Sequence, residues 1–417
     1  MRHVKCVVIG GGSAGLAAAI QLKKYNIDCL LLEKEDVLGG ILNQCIHNGF
    51  GLTRFKEELT GPSYAERLVS EFHDLGIEFE PDSTVIKLNS DKSIEYINPK
   101  GVHKIQAESI VLALGARERT RGNIMIPGDR SVGVWTAGSA QKYLNIDGYC
   151  VGKRVFILGS GDIGLIMARR MTIAKAKVVG VAEIMPYSNG LTRNLVQCLY
   201  DYDIPLYLST TITRINGNGR VQSIELSRVD ENLKPISGTE FNIEVDTVLL
   251  SVGLIPDNII TENAGIEMDP RTKGPKINQY YETSIPGIFA CGNVLHVHDL
   301  VDNVTTESYN AGKNAAKYVR GNKSKGVLIE VKAIEGVRYT VPKAIDVQNV
   351  DKSVTLRFRV ADVYKNSFIA VYFDDVKVMH IKKRILSPGE MEEVKLTKTL
   401  LDKYSNFSSI TIKVEKE

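Results

Sequence analysis

The chain lacks most of the features that would give its function away early. It has no C-x-x-C pair: its six cysteines (Cys6, Cys29, Cys45, Cys150, Cys198, Cys291) are scattered without metal-ligand spacing. That scatter argues against zinc and iron–sulfur sites, predicts no metal site, and fits a reducing cytoplasm with thiols acting as small buried hydrophobes. Charge of neither sign dominates: the net charge is +3 with no long basic run, so nothing calls for nucleic acid as a partner. No apolar stretch approaches the roughly 18 residues of a membrane-spanning helix. The N-terminus, MRHVKCVVIGGG, enters a strand at once, which predicts no removable hydrophobic leader.

What is present points to a globular α/β protein. With 417 residues the chain exceeds one ordinary core and predicts two or three domains. The stretch KCVVIGGGSAGLAAAIQLKKYNIDCLLLEKE reads as strand, glycine turn, helix and second strand, with Gly10, Gly12 and Gly15 spaced G-x-G-x-x-G. The first glycine permits a tight turn, the second lets backbone approach a pyrophosphate, and the third lets helix and strand pack closely. Phosphates then sit at the positive helix N-terminus. Glu33 follows 18 residues after Gly15, where a carboxylate accepts hydrogen bonds from ribose hydroxyls.

The pattern recurs in KRVFILGSGDIGLIMARRMTIAKAKVVGVAEI, with Gly159, Gly161 and Gly164 behind the strand 154–158, and Glu183 19 residues beyond Gly164. An acid there pairs with a free 2′-hydroxyl and repels a 2′-phosphate, favouring NAD; Arg169, Arg170 and Arg193 leave NADP not excluded. Two such units imply two nucleotides.

With both units in place the chain resembles the two-dinucleotide-binding flavoproteins of the pyridine nucleotide-disulfide oxidoreductase superfamily, the group related to thioredoxin reductase and glutathione reductase. SIVLALGARERTRG (109–122) resembles the segment linking their FAD and NAD domains, and DTVLLSVGLIPDN (246–258) the segment leaving the NAD domain. TSIPGIFACGNV (283–294) resembles the motif whose final acid binds the FAD ribitol. Here that acid is Asn293, an amide without charge.

The resemblance covers residues 1 to about 320. It implies an FAD-binding three-layer ββα Rossmann-like domain (1–117 and 285–323) with an inserted NAD(P)-binding Rossmann-like domain (118–284). FAD contacts are expected at Gly10, Gly12, Ser13, Ala14, Gly15, Glu33, Lys34, Gly40, Asn43, Val85, Ala113, Leu114, Gly115, Gly292, Asn293 and Val301. Nicotinamide nucleotide contacts are expected at Gly159, Gly161, Asp162, Ile163, Gly164, Glu183 and Gly253. The helix beginning near Val301–Asn303 should aim its N–H groups at the flavin pyrimidine.

Branches of this group differ in where electrons leave the flavin. In relatives with a C-x-x-x-x-C pair after the paired glycines, two thiols cycle as a disulfide; here Leu42 stands at the first position and Cys45 is alone. In relatives with C-x-x-C ahead of the second glycine turn, the comparable run is Trp135-Thr136-Ala137-Gly138. Both dithiol positions are empty. A single thiol still works in NADH oxidases and peroxidases, through a sulfenate, given an acidified thiolate. Cys45, with His47 two residues away, is therefore the candidate for that chemistry, against a reading of Cys45 as packing.

GVWTAGSAQ resembles the flavoprotein subunits of amine, opine and dye-linked proline dehydrogenases. GGILNQCIHNGFGLTRFKEELTGPSYAERL and EIMPYSNGLTRN resemble bacterial NAD/FAD oxidoreductases accompanying anaerobic glycerol-3-phosphate dehydrogenase. That implies a dehydrogenase partner subunit; a homo-oligomer is the alternative assembly.

Past residue 330 the pattern changes. SVTLRFRVAD, SFIAVYFDD, VKVMHIKKRI and SITIKVEKE alternate at period two, with turns at Asp374–Asp375 and 387–389. A small antiparallel β-domain over 330–417 is expected, a sandwich in form. His296 and His298 form H-x-H after the ribitol motif; with no third ligand evident, a polar loop over the flavin is the expectation. His47, Asn48 and Arg54 are candidates for holding a substrate carboxylate or phosphate.

Overall fold

The computed structural model describes residues 1–322, 326–404 and 406–416, so the expected limits at 323 and 417 lie outside the described residues. The chain divides into two compact units: 1–42 with 48–116 and 256–417, and 43–47 with 117–255.

The first unit is built on a seven-stranded sheet. Its path runs Glu78–Glu80, Cys29–Leu32, Arg2–Ile9, Gly101–Leu112, Ser93–Asn98, Thr84–Leu88, and Ile288–Ala290 pairs with Gly101–Leu112 off this path. The strands from Glu78–Glu80 through Gly101–Leu112, with Ile288–Ala290, are parallel, and the hairpin 84–98 adds antiparallel strands at one end.

Both faces of the parallel part are covered, which is why its strands read as continuous apolar runs. Cys6 and Val8 face a core under the helices Ser13–Lys24, Gly61–Asp74 and Val301–Val319, whereas Val7 and Ile9 face a second core shared with Ile94, Tyr96 and Ile105. The alanine-rich opening helix lets the helix Val301–Val319 approach closely: a Cβ on Gly312 would stand 2.4 Å from the Ala18 carbonyl oxygen.

Residues 256–284 were expected in the nucleotide domain but fall in the first unit. Ala264, Ile266 and Ile277 are buried in the second core, and Asn258 Nδ2 donates to the carbonyls of Lys273 and Val294 at 2.8 Å each.

The C-terminal residues form two facing sheets, of five strands (Ala344–Asp346, Leu328–Ala333, Ser409–Lys416, Tyr364–Phe373, Val376–Leu386) and three (Val337–Val341, Ser353–Val360, Glu392–Thr397). Alternating residues such as Leu356 and Phe358 from one sheet and Ile369 and Val371 from the other fill a common core. The pairing is antiparallel except where Leu328–Ala333 runs parallel to Ser409–Lys416.

The second unit repeats the plan of the first. Five parallel strands follow the order Val134–Thr136, Thr247–Leu250, Arg154–Leu158, Lys177–Ala182, Leu206–Tyr207, with the helices Ala137–Asn145 and Asp162–Ile173 packed on them. A three-stranded antiparallel sheet (Thr210–Asn218, Arg220–Arg228, Phe241–Glu244) covers the other face. No helix among the described residues is long and apolar enough to cross a membrane.

Candidate functional site

The first glycine turn meets the requirements for a pyrophosphate cradle. Gly10 has φ +104, and a Cβ there would stand 2.3 Å from the Ala113 carbonyl oxygen, so only glycine fits. The helix 13–24 begins at Ser13 with Gly12 as N-cap and no side chain bonded to its first N–H groups. Those orphan donors are what an anion takes up. Ala14 and Gly15 are buried and Ser13 is half-buried at the same end.

Gly40 (φ +58) closes on Gly12 from the chain after the second strand, and Gly292 (φ +74) from Ala14, where a Cβ would lie 2.8 Å from the Ala14 Cβ. Glu33 is 6% exposed; its Oε2 accepts the Gly11 N–H and its Oε1 the Glu35 N–H at 2.9 Å, leaving each oxygen a free lone pair for a ribose hydroxyl. These residues fit an FAD adenosine diphosphate.

Of the other expected contacts, Leu114 is half-buried and Gly115 (φ +72) accepts the Asp257 N–H. Lys34 is exposed, and Val85 sits half-buried on the strand Thr84–Leu88 against the second core.

The second turn has the same construction. A Cβ on Gly159 (φ +103) would stand 2.0 Å from the Ser251 carbonyl oxygen, and one on Gly164 2.2 Å from the Gly159 oxygen. Gly161 is the N-cap of the helix 162–173, again without a side-chain cap. Glu183, 4% exposed, accepts the Ser160 N–H (3.0 Å) and hydroxyl (2.7 Å) on Oε2 and the Met185 N–H (3.0 Å) on Oε1.

Asp162 turns its carboxylate onto the following segment, taking the Leu191 N–H at 2.9 Å and Asn194 Nδ2 at 2.7 Å, while Ile163 is exposed. Gly253 (φ +96) accepts the Arg119 N–H at 3.0 Å. A cavity of about 290 Å³, lined by Arg121, Trp135, Thr136 and Leu250, opens at the carboxyl ends of the strands 134–136 and 247–250. That is the edge where open α/β sheets bind ligands.

Residues 43–47 go with the second unit, which separates Asn43, Cys45 and His47 in grouping from the glycines before them. Gln44 Nε2 donates to the Gly138 carbonyl (2.8 Å) and to Gln141 Oε1 (3.1 Å), and Asn145 Nδ2 donates to the Gln44 carbonyl (2.8 Å). These bonds dock the segment along the helix 137–145. Cys45 Sγ then lies 3.7 Å from Gln141 Oε1, and burial pushes its thiol up from 9.0 to about 12. All six cysteines are free. At the run 135–138, where the resemblance would put the second dithiol, the helix N-terminus is occupied: Glu118 Oε1 accepts the Gly138 N–H at 2.8 Å.

Sequence reasoning missed the acid that joins the two histidines. Glu307, fully buried on the helix 301–319, takes His298 Nε2 and the Gly292 N–H on Oε1 (3.1 and 2.8 Å). It takes His296 Nε2 and Arg357 Nη1 on Oε2 (3.1 and 3.5 Å). The expectation of a polar loop without a third partner is therefore corrected: both imidazoles are turned inward. The available signal was Glu307 itself, one helical turn from the buried Val304 and Ala311 on an apolar stripe where charge is rare. Asn293 Oδ1 accepts the His298 N–H at 3.0 Å, which leaves Nδ2 as the outward donor.

At the start of that helix, Val301 is half-buried and Leu300 caps without a side-chain bond. Asp302 holds the Gly51 and Arg54 N–H groups at 3.2 and 2.8 Å. Arg54 packs its guanidinium over Tyr309, 4.5 Å from the ring centre, and donates to the Tyr309 hydroxyl.

The profile of the pyridine nucleotide-disulphide oxidoreductase family matches residues 4–317, ending before the β-domain. Dihydrolipoyl dehydrogenase of Acholeplasma laidlawii is 27% identical over 319 residues, covering 70% of this chain and 90% of that protein. The NADPH glutamate synthase small chain of Mycobacterium tuberculosis is 25% identical over 346 residues, covering 76% of this chain and 67% of that protein. Among solved structures, thioredoxin reductase of T. acidophilum shares the fold, with TM-score 0.64 at 22% identity, over 76% of this chain and 99% of that one.

Proposed function

Because this chain belongs to the pyridine nucleotide-disulphide oxidoreductase family, whose members bind FAD and NAD(P)H, we propose that it exchanges hydride between NAD(H) and FAD without an internal disulfide. The observation that carries this reading is the repeated cradle: two glycine turns with uncapped helix N-termini, each backed by a buried glutamate that accepts two backbone N–H groups. FAD supplies the redox-active ring and NAD(H) the hydride.

The protein's part is binding and placement. Gly10, Gly12, Gly15 and Glu33 hold the adenosine end of FAD, with Gly40, Gly292 and Asn293 closing over it. Gly159, Gly161, Gly164 and Glu183 hold the nicotinamide nucleotide. The flavin is assigned to residues 1–117 and 285–323, and of the expected nucleotide range 118–284 the part 118–255 keeps that assignment, with 256–284 grouped in the first unit. Glu183, a buried acid already fixed by three donors, supports NAD over NADP, since it would face a 2′-phosphate with like charge.

Leu42 and Trp135–Gly138 stand where relatives carry paired cysteines, so electrons pass to or from a partner protein or a small acceptor. A dehydrogenase of the glycerol-3-phosphate type is the partner that the resemblance of residues 39–68 supports, with a homo-oligomer as the alternative assembly and the cytoplasm as the compartment. A peroxidase or oxidase cycle on Cys45 is disfavoured by a thiol raised to about 12.

Anaerobic titration tests the reading. NADH should bleach the visible flavin band stoichiometrically and NADPH should do so far more slowly; an unbleached flavin with both nucleotides overturns it.

A further inference from the structure

The family match ends at residue 317, yet the β-domain beyond it sends a charge into the flavin-binding unit. Arg357 lies on the strand Ser353–Val360 with its side chain 9% exposed, 3.5 Å from Glu307 Oε2. Arg359, two residues on and so on the same face of the strand, bonds Asp299 and the Val297 carbonyl. Two arginines of one strand thus grip residues 297–307.

Glu307 is the pivot of this arrangement. An ionised carboxylate only accepts hydrogen bonds, so each imidazole must present Nε2–H to it. Burial, then the second imidazole, hold His296 down at about 4, so it is a neutral donor. Burial opposes ionisation of Glu307, but its histidine neighbours hold its carboxyl well below the usual range. Arg357 is accordingly the permanent counter-charge of a carboxylate that has no contact with solvent. Removing that counter-charge leaves a buried anion uncompensated, a heavily penalised state.

What Glu307 holds is the flavin loop. Its Oε1 fixes the Gly292 N–H, at a residue pressed on Ala14 of the first cradle. Through His298 it also sets the backbone N–H that orients Asn293.

We propose that the β-domain completes the flavin site, with Arg357 acting through Glu307 as a positioning residue for the Gly292–Asn293 loop. This rests on the assignment of FAD to the first cradle. The donor set His296, His298 and Glu307, within 4.8 Å of one another, is also what a divalent metal would use. The Arg357 guanidinium supplies a positive charge at Oε2, while the 3.1 Å separations suit a hydrogen bond and two ligands of one ion alike, so metal content is one outcome of the test.

The test uses the full chain, stripped of flavin and titrated with FAD, reading affinity by flavin fluorescence and the bound ring by visible circular dichroism. Arg357→Met should weaken FAD at least about tenfold and alter the dichroic bands, and Arg357→Lys should restore most of the loss. The double variant Arg357→Met/Glu307→Gln should lose less than the two single losses combined, because it removes charge and counter-charge together.

A folded Arg357→Met protein with wild-type FAD affinity and dichroism overturns the proposal. If Arg357→Met does not fold, the double variant decides: weakened FAD binding with altered bands supports the proposal, and wild-type binding overturns it. A stoichiometric divalent ion that disappears in His296→Asn also overturns it. Failure of the wild-type chain to take up FAD instead removes the assignment on which the proposal rests.

Discussion

At pH 7.5 Cys45 should be nearly silent toward alkylating reagents. Burial raises its thiol from 9.0 to about 12. An ordinary thiol at 9.0 is then roughly 3% thiolate, whereas one at 12 is thiolate in roughly one molecule in 30,000. The thousandfold deficit is partly returned by the greater nucleophilicity of a more basic sulfur: with a Brønsted slope of about 0.45, three units give back roughly 20-fold. The net rate falls about 50-fold before restricted access slows it further. Iodoacetamide under native conditions, quenched in a time course and read by peptide mass spectrometry, measures this, with the exposed Cys150 as internal reference. Cys45→Ser should correspondingly leave NADH-driven flavin reduction and peroxide turnover unchanged. Alkylation of Cys45 as fast as Cys150, together with peroxide turnover lost in Cys45→Ser, would refute the reasoning and restore Cys45 as a catalyst.

Other outcomes follow from the same geometry. Gly164→Ala puts a Cβ 2.2 Å from the Gly159 oxygen, which should cost the second unit about 2 kcal/mol and abolish rapid reduction by NADH. The ratio of FAD to protein should stay at the wild-type value, and loss of FAD would contradict the separate cradles. Glu183→Gln should raise the ratio of NADPH to NADH efficiency by about tenfold in steady-state assays, and an unchanged ratio would remove Glu183 from nucleotide choice.

Acid should destabilise the first unit. His296 is held down to about 4 when folded against 6.5 unfolded, so the unfolded chain binds more protons in that window. The neutral-His contribution is complete above pH 6.5 and falls away toward pH 4, by about 3 kcal/mol in total. Melting temperatures measured from pH 7 to 4.5 should fall, less steeply in His296→Asn; parallel curves would refute the assignment.

The chemistry that depends on neighbours in sequence was legible there, and the chemistry that depends on packing was not. Glycine turns, the acids ending the second strand of each unit and the empty dithiol positions are local patterns, set by the fixed geometry of a strand–turn–helix unit. Cys45 follows the glycines in sequence, but its segment docks on the helix 137–145 through Gln44 and Asn145, and no periodicity announces that. The grouping of 256–284 with the first unit is not legible in the sequence, because these residues carry little regular structure and are held by buried side chains instead. H-x-H suggested polar work at 296–298, yet its acid comes from a helix and its arginine from a strand some 50 residues further on. Such a meeting is set by how the β-domain docks.

The missing dithiol is more than two absent sulfurs. A thiol pair that exchanges disulfides needs a neighbour that favours thiolate, and a helix N-terminus is one such neighbour. Here the N-terminus of the helix 137–145 is spent on the Glu118 carboxylate, which lies so close that a Cβ on Gly138 would stand 2.8 Å from its Oε2. An acid in that position disfavours a second anion, so the local electrostatics oppose the thiolate that the chemistry requires. Counted from buried Leu42, the other pattern puts His47 at its second place, so neither thiol of that pair is present, and the nearby Cys45 is raised by burial. Both places that the resemblance assigns to a dithiol thus lack the thiols, and their surroundings in this chain do not favour a thiolate. On the hydride exchange proposed above, electrons on the flavin would leave it without a thiol relay, which would put the specificity of the enzyme in its acceptor.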